Sequence, residues 1–206
     1  MKQERSVRRR ERILDAAFTV FSRQGYRETG VDEVGRQAET SKGGVYFHFP
    51  TKESLFLELL RTTADRLVGK VERSMVGVSD PIDRADAALR TVLAVFAGHR
   101  TMARLFLIDA VGAGDAFQAE LGRMHERFSG LIAEQLETAV AEGIIPPIDT
   151  AVASMAWFGA LNEVVVRWLM AEPHGRLDDA YPTLRAILLR SVGIPEARIT
   201  ALQATA

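Results

Sequence analysis

Apolar residues recur every three or four positions along almost the whole chain, the spacing of helices that bury one face. Ile13, Leu14, Ala17, Phe18 and Phe21 form the first such stripe, and Gly25 stops it. Val31, Val34, Gly35 and Ala38 predict a short second helix with Gly30 at its N-cap. A Glu39-Thr40 turn follows, and Ser41 is placed to cap a third helix by offering its hydroxyl to first-turn amides. Pro50 ends that helix. Thr51 then caps a fourth, with Glu53 set against its dipole, which the pattern carries unbroken from Lys52 to about Met75.

Later boundaries are marked as clearly. Asp80-Pro81 reads as an N-cap followed by proline at the first helical position. Gly112-Ala113-Gly114 separates two further helices, and Asp115 can cap the long one after it. Gly143, reinforced by Pro146-Pro147, is a helix stop. Asp149 opens a helix that ends near Glu172-Pro173, and Asp178 or Asp179 opens the last, which ends around Gly193 and Pro195. The pattern thus predicts an all-α chain of about nine helices with no strand and no internal repeat. Residues 1–51 form a three-helix head; residues 52–206 form a larger helical body, joined to the head through helix four. Glu196 to Ala206 lack large apolar anchors and are expected to fray.

Composition narrows the function classes. The 206 residues are 47% hydrophobic and 26% charged, ordinary for a globular chain. Cysteine is absent, which excludes disulfide scaffolds and thiolate metal sites and makes a reducing cytoplasm the natural setting. No apolar run approaches the roughly 18 residues that cross a bilayer, so no membrane partner is expected. The basic N-terminus leads into an amphipathic segment carrying Glu11, Asp15 and Arg23, unlike a signal peptide. The net charge of -1 hides an offset: residues 1–52 hold 11 Lys/Arg against 7 Asp/Glu, leaving the remainder at -5. A basic head on an acidic body suits a polyanion partner.

The short turn between the second and third helices is the geometry of a helix-turn-helix unit, whose second helix enters the major groove. Gly43 and Gly44 each disfavour helix by about 1 kcal/mol relative to alanine, and in return let the backbone approach another surface closely. Lys42 can reach a guanine edge or a phosphate, Tyr46 and His48 can donate to phosphate oxygens, and Phe47 can touch a thymine methyl. Lys52, at the start of helix four, is a candidate phosphate clamp. Three adjacent bulky residues, Tyr46-Phe47-His48, cannot all face one core. Arg5, Arg8, Arg9, Arg10 and Arg12 form a basic arm that is either a solvated tail or a contact to the DNA backbone or minor groove.

Over roughly Arg12 to Leu55 the chain resembles the TetR family of one-component transcriptional regulators. The matches are Ile13-Leu14-Asp15-Ala16-Ala17, Phe21, Gly25-Tyr26, Thr29, Val31, Ser41-Lys42-Gly43, Val45-Tyr46, His48-Phe49 and Lys52-Glu53. The resemblance implies that Val45 anchors the recognition helix in the core. It implies that Lys42, Gly44 and Phe47 face bases, that Tyr46, His48 and Lys52 hold phosphates, and that Thr40 and Ser41 sit close to the backbone. The family usually has small residues at the positions of Gly35 and Glu39, an aliphatic residue at that of Thr40, and Ser or Thr at that of Gly30. Glu39 lacks glycine's ease in a left-handed turn and adds negative charge near phosphate.

A palindromic operator needs two such heads, so a homodimer is expected. Ala153, Ala156, Gly159 and Ala160 permit close helix approach, and Leu184, Ile187, Leu188 and Ser191 supply a second stripe. Paired across a two-fold axis they make a four-helix bundle, as the resemblance also implies; the alternative packs both stripes within one chain. Met102, Phe106, Phe117, Met124, Phe128, Trp157, Leu161 and Asn162 converge on either a solid core or an apolar cavity. The resemblance favours a cavity for a small-molecule inducer. Arg104, Asp109, His125 and Glu163 are further polar candidates, although Glu163 and Arg167 can pair with each other. His99, His125 and His174 lack metal-ligand spacing, and neither metal nor cofactor is expected. No Gly-rich phosphate loop or nucleophile elbow occurs, so an enzyme is not expected. The sequence therefore points to a DNA-binding regulator, a repressor released by a small, largely apolar ligand. The alternative is a dimeric DNA binder controlled by a partner protein or by no ligand at all.

Overall fold

The structure, a computed structural model, describes residues 2–109, 114–173 and 175–204. Among these every regular element is helical: α1 (Lys2–Glu28), α2 (Val31–Gln37), α3 (Lys42–His48), α4 (Lys52–Met75), α5 (Pro81–Gly98), α6 (Arg100–Leu107), α7 (Asp115–Ala141), α8 (Thr150–Met170), α9 (Tyr181–Ser191) and α10 (Glu196–Ala204). A 3-10 turn, Leu177–Ala180, precedes α9. Gly112, Ala113 and His174 lie outside the described residues.

Local chemistry sets most of these bounds. Gly25 at φ 80° breaks the helical path of α1, and the Thr29 hydroxyl donates to the Gly25 carbonyl at 2.8 Å. Asp80 accepts from the amides of Ile82 and Asp83, and Asp149 from that of Val152, as expected of N-caps. Thr51 and Ser54 cap α4 reciprocally, each amide donating to the other's hydroxyl.

Two sequence-based expectations fail. Asp178 and Asp179 sit in the 3-10 turn without a side-chain cap, and α9 starts at Tyr181 with Pro182 in its first turn. The C-terminal segment does not fray through Glu196–Ala204. Ile199 is fully buried, and the Arg198 guanidinium pairs with Asp80 at 2.5 Å and Asp83 at 3.3 Å. One isoleucine and an ion pair to a residue over a hundred positions away hold α10; neither shows as a local apolar stripe.

The chain divides into two compact units: Met1–Arg66 with Arg100–Leu121, and Leu67–His99 with Gly122–Ala206. Both α4 and α7 run through a division unbroken. An aromatic cluster holds the first unit together. Phe56 stacks on Tyr26 with centroids 4.7 Å apart and meets Phe21 at 5.0 Å, Phe117 at 5.4 Å and Phe106 at 6.5 Å. Phe106 and Phe117, far along the sequence, complete the core that Phe21 and Phe56 begin. Arg61 adds an ion pair to the buried Glu120 at 2.8 Å.

In the second unit, Ile82, Leu93, Leu136, Val165, Leu169, Leu188 and Leu189 are buried. A polar cluster is set among them. Tyr181 donates to both Asp86 carboxylate oxygens, at 2.7 and 2.8 Å, and accepts from Arg90 at 2.9 Å and Arg185 at 3.4 Å. Burial and the adjacent carboxylate raise the Tyr181 phenol above its ordinary range, against the pull of the two guanidiniums, so it remains a donor near neutrality.

Candidate nucleic-acid interface

The third helix is held by two residues and presents the rest. Val45 and Phe49 are buried at 1% and 3% exposure, and the Ser41 hydroxyl accepts from the Gly44 amide at 3.0 Å. Ser41, Lys42, Gly43, Tyr46 and Phe47 are exposed, Phe47 at 81%. His48 is half-buried, its ring edge-on to Phe47 at 5.2 Å. Burial, then the nearby Arg9 and Arg10 guanidiniums, lower the His48 pKa, so near neutrality it is an uncharged imidazole with one N–H donor.

The two glycines differ in purpose. A methyl group on Gly44 would come within 2.3 Å of the Thr40 hydroxyl, so this half-buried glycine accommodates its own turn. On Gly43 the nearest atom would be the Ser41 hydroxyl at 3.8 Å. Gly43, not Gly44, is therefore the glycine with room for a side chain within the protein itself. Gly35 is also explained: a β-carbon there would lie 3.1 Å from the Thr40 carbonyl and 3.3 Å from the Lys42 amide. Its absence lets the turn close onto α2.

Glu39 occupies the left-handed region at φ 52°. L-residues there lose roughly 1–2 kcal/mol, while glycine forfeits about 0.5–1 kcal/mol in chain entropy. Glu39→Gly is thus expected to stabilise the protein by about 0.5–1 kcal/mol, read from the denaturant midpoint. A drop in midpoint would show that the glutamate side chain stabilises the turn.

Lys52 is less open than the sequence suggests. Its ammonium donates to the Arg27 carbonyl at 2.9 Å and lies 4.7 Å from the Tyr26 ring centroid. Burial lowers its pKa and Glu28 partly restores it. It ties the kinked end of α1 to the start of α4.

The residues expected to line a cavity are divided between the two units. Of the expected cavity residues, Met102, Phe106 and Phe117 belong to the first unit, where all three are buried. Trp157 is buried and donates to Ser191 at 3.0 Å, linking α8 to α9. Met124, Phe128, Leu161 and Asn162 are half-buried, and the Phe158 ring lies against His125 at 4.8 Å and Phe128 at 6.4 Å. None of the eight lines the described cleft of about 490 Å³, which Arg90, Leu93, Ala94, Asp178, Tyr181, Pro182 and Arg185 enclose. The helical spacings Asp86/Arg90 and Tyr181/Arg185 were the available signal for that polar cluster.

Of the expected dimer stripe, Leu184 and Leu188 are each 5% exposed, packed within their own unit. Ala156, Ile187 and Ser191 are exposed, and Ala153 and Ala160 half-buried. Val152 and Met155 on α8, both exposed, extend this face and escaped the sequence reading. Among the described residues no three His, Cys, Asp or Glu could hold a metal, and no helix is long and apolar enough to cross a membrane.

A three-helix head with a capped, aromatic-bearing third helix defines a helix-turn-helix DNA-binding regulator. The family model for bacterial regulatory proteins of the tetR family matches residues 13–59. A second, described as tetracyclin repressor-like, C-terminal domain, matches residues 78–181, more than half the chain. The protein belongs to the tetR family of transcriptional regulators. It is similar to YhgD of Bacillus subtilis, an uncharacterized HTH-type transcriptional regulator, at 25% identity over 82% of this chain and 88% of that one. It is also similar to the HTH-type transcriptional repressor KstR2 of Rhodococcus jostii, at 29% identity over 91% and 92%. Among solved structures, the regulator FadR of Bacillus subtilis in complex with stearoyl-CoA shares the fold with a TM-score of 0.80, covering 89% of this chain and 97% of that one at 18% identity.

Proposed function

We propose that this protein is a repressor that reads a palindromic operator as a homodimer and is released by a small, largely apolar ligand. The observation that carries the DNA reading is the exposed face of α3, where Lys42, Gly43, Tyr46 and Phe47 stand clear of the core that Val45 and Phe49 anchor. Lys42, Phe47 and the bare Gly43 backbone meet the bases. Tyr46, His48 and Lys52 hold phosphates, with Thr40, Ser41 and Gly44 shaping the turn beside them. The repressor assignment is supported by the 29% identical KstR2.

Gly43 supplies the test. An alanine there adds up to about 1 kcal/mol of helix propensity with room for its methyl. Gly43→Ala should therefore preserve or raise stability while weakening binding to a duplex from the protein's own upstream region at least tenfold. Unchanged affinity by fluorescence anisotropy would remove the close approach at this position.

The dimer surface is the α8–α9 face bearing Val152, Met155, Ala156 and Ile187, too apolar to be left to water without a use. For the ligand, the half-buried Met124, Phe128, Leu161 and Asn162 remain as adaptable apolar and amide contacts. The acyl thioester in the FadR complex makes stearoyl-CoA the first ligand to titrate. A ligand that raises the melting temperature yet leaves operator affinity unchanged would contradict release. The packing of Phe106 and Phe117 against Phe56 supports a second reading, a dimeric DNA binder controlled by a partner protein or by no ligand at all. In that case no apolar compound raises the melting temperature.

A further inference from the structure

The basic arm is not an extended tail. Residues from Lys2 onward continue α1, so the arginines take up fixed angular positions about a helix axis. At 100° per residue, Arg5, Arg8, Arg9 and Arg12 fall within about 100° of arc. Glu4, Val7 and Glu11 fall on another side. All four arginines are exposed, and none forms an ion pair with another described residue. Arg10 lies off this stripe and acts differently. It pairs with Glu58 on α4, and its guanidinium sits 5.1 Å from the centroid of Phe49, the residue that caps the C-terminus of α3. Arg10 thereby pins the N-terminal part of α1 beside the end of the recognition helix. The electrostatic reach of Arg9 to His48 agrees with that placement.

We infer that the N-terminal half of α1 is a rigid second DNA contact, a rod whose Arg5, Arg8, Arg9 and Arg12 hold backbone phosphates flanking the half-site. This rests on α3 being the groove reader. Four cations held on one face, next to an element that meets DNA, gain affinity by displacing condensed counterions without reading bases. A helical rod is too wide to thread a narrow minor groove, so the contact is to phosphate and indifferent to flanking sequence.

The test measures operator affinity against salt for three forms of the full chain: wild type, Arg5→Gln/Arg8→Gln/Arg9→Gln/Arg12→Gln, and a face-swapped form. The swap exchanges neighbours, as Glu4→Arg with Arg5→Glu, Val7→Arg with Arg8→Val, and Glu11→Arg with Arg12→Glu. It preserves composition and net charge but turns three of the four stripe positions away. Each phosphate contact contributes about 0.9 to the slope of log affinity against log salt, so four arginines in each protomer of a dimer amount to about 7, and the neutralised form should lose most of this. The face-swapped form should lose nearly as much, with far-UV circular dichroism unchanged in both. The ratio of operator to random-duplex affinity should stay constant, as phosphate contacts require. An unchanged slope in the neutralised form overturns the contact. A wild-type slope in the face-swapped form overturns the rigid stripe, since a flexible cationic tail would be indifferent to the swap. Wild-type protein that prefers no upstream duplex at all overturns the groove reading itself and this inference with it.

Discussion

Phe56→Ala is expected to destabilise the first unit by about 3–5 kcal/mol, the range for truncating a fully buried aromatic. Phe56 has no exposed surface and lies at the centre of five rings, within 4.7–5.4 Å of Tyr26, Phe21 and Phe117 and 6.5 Å from Phe106. Truncation removes its transfer free energy and leaves a cavity the remaining rings cannot close, since each is also fixed by its own helix. The effect should reach beyond the helix-turn-helix sequence. Amides of α6 and the first turns of α7 should lose hydrogen-exchange protection together with those of α1. Loss confined to α1–α4 would mean that Arg100–Leu121 folds with the other unit. Phe47→Ala is the natural control: at 81% exposure it should leave stability within about 0.5 kcal/mol.

Asp86→Ala should destabilise the second unit by a similar amount, about 3–5 kcal/mol, because it strips a buried cation of its counter-charge. The Arg185 side chain is 2% exposed and 3.9 Å from the Asp86 carboxylate, which is itself 7% exposed. The same carboxylate accepts both Tyr181 hydrogen bonds and pairs with Arg90 at 3.5 Å, so its loss also unties α5 from α9. Removing both buried charges is the discriminating measurement. Asp86→Ala with Arg185→Met should recover more than half of the loss by denaturant unfolding, as buried pairs replaced by apolar residues commonly do. A double variant no more stable than Asp86→Ala alone would show that Arg185 contributes chiefly through packing and through its bond to the Ile199 carbonyl, at 3.4 Å.

Helix identities and most boundaries were legible in the sequence because they depend on near neighbours. Ser41 caps α3, Asp80 caps α5, and the φ of 80° at Gly25 interrupts α1, each within four residues of its effect. The face of α3 was legible for the same reason: a seven-residue helix anchored by Val45 must expose Tyr46 and Phe47. The unfavourable position of Glu39 was legible on the same local grounds. Its poor fit to a left-handed turn could be read from residue type, and φ 52° confirms the turn geometry.

The roles of apolar stripes in the body were not legible, because a stripe states only that something covers it. Phe106 and Phe117 look like cavity wall in sequence, and Leu184 and Leu188 like dimer surface. Only the tertiary structure seats the first pair against Phe56 and buries the second pair within its own unit. The anchoring of α10 through Arg198 and Ile199, and the cluster of Asp86, Arg90, Tyr181 and Arg185, likewise join residues roughly a hundred positions apart. Sequence alone determined an all-α fold whose capped third helix buries Val45 and exposes Tyr46 and Phe47, since caps, glycines and helical period act over a single turn. The tertiary structure decided which apolar and charged groups serve the core and which remain exposed, since that depends on partners brought together only by folding.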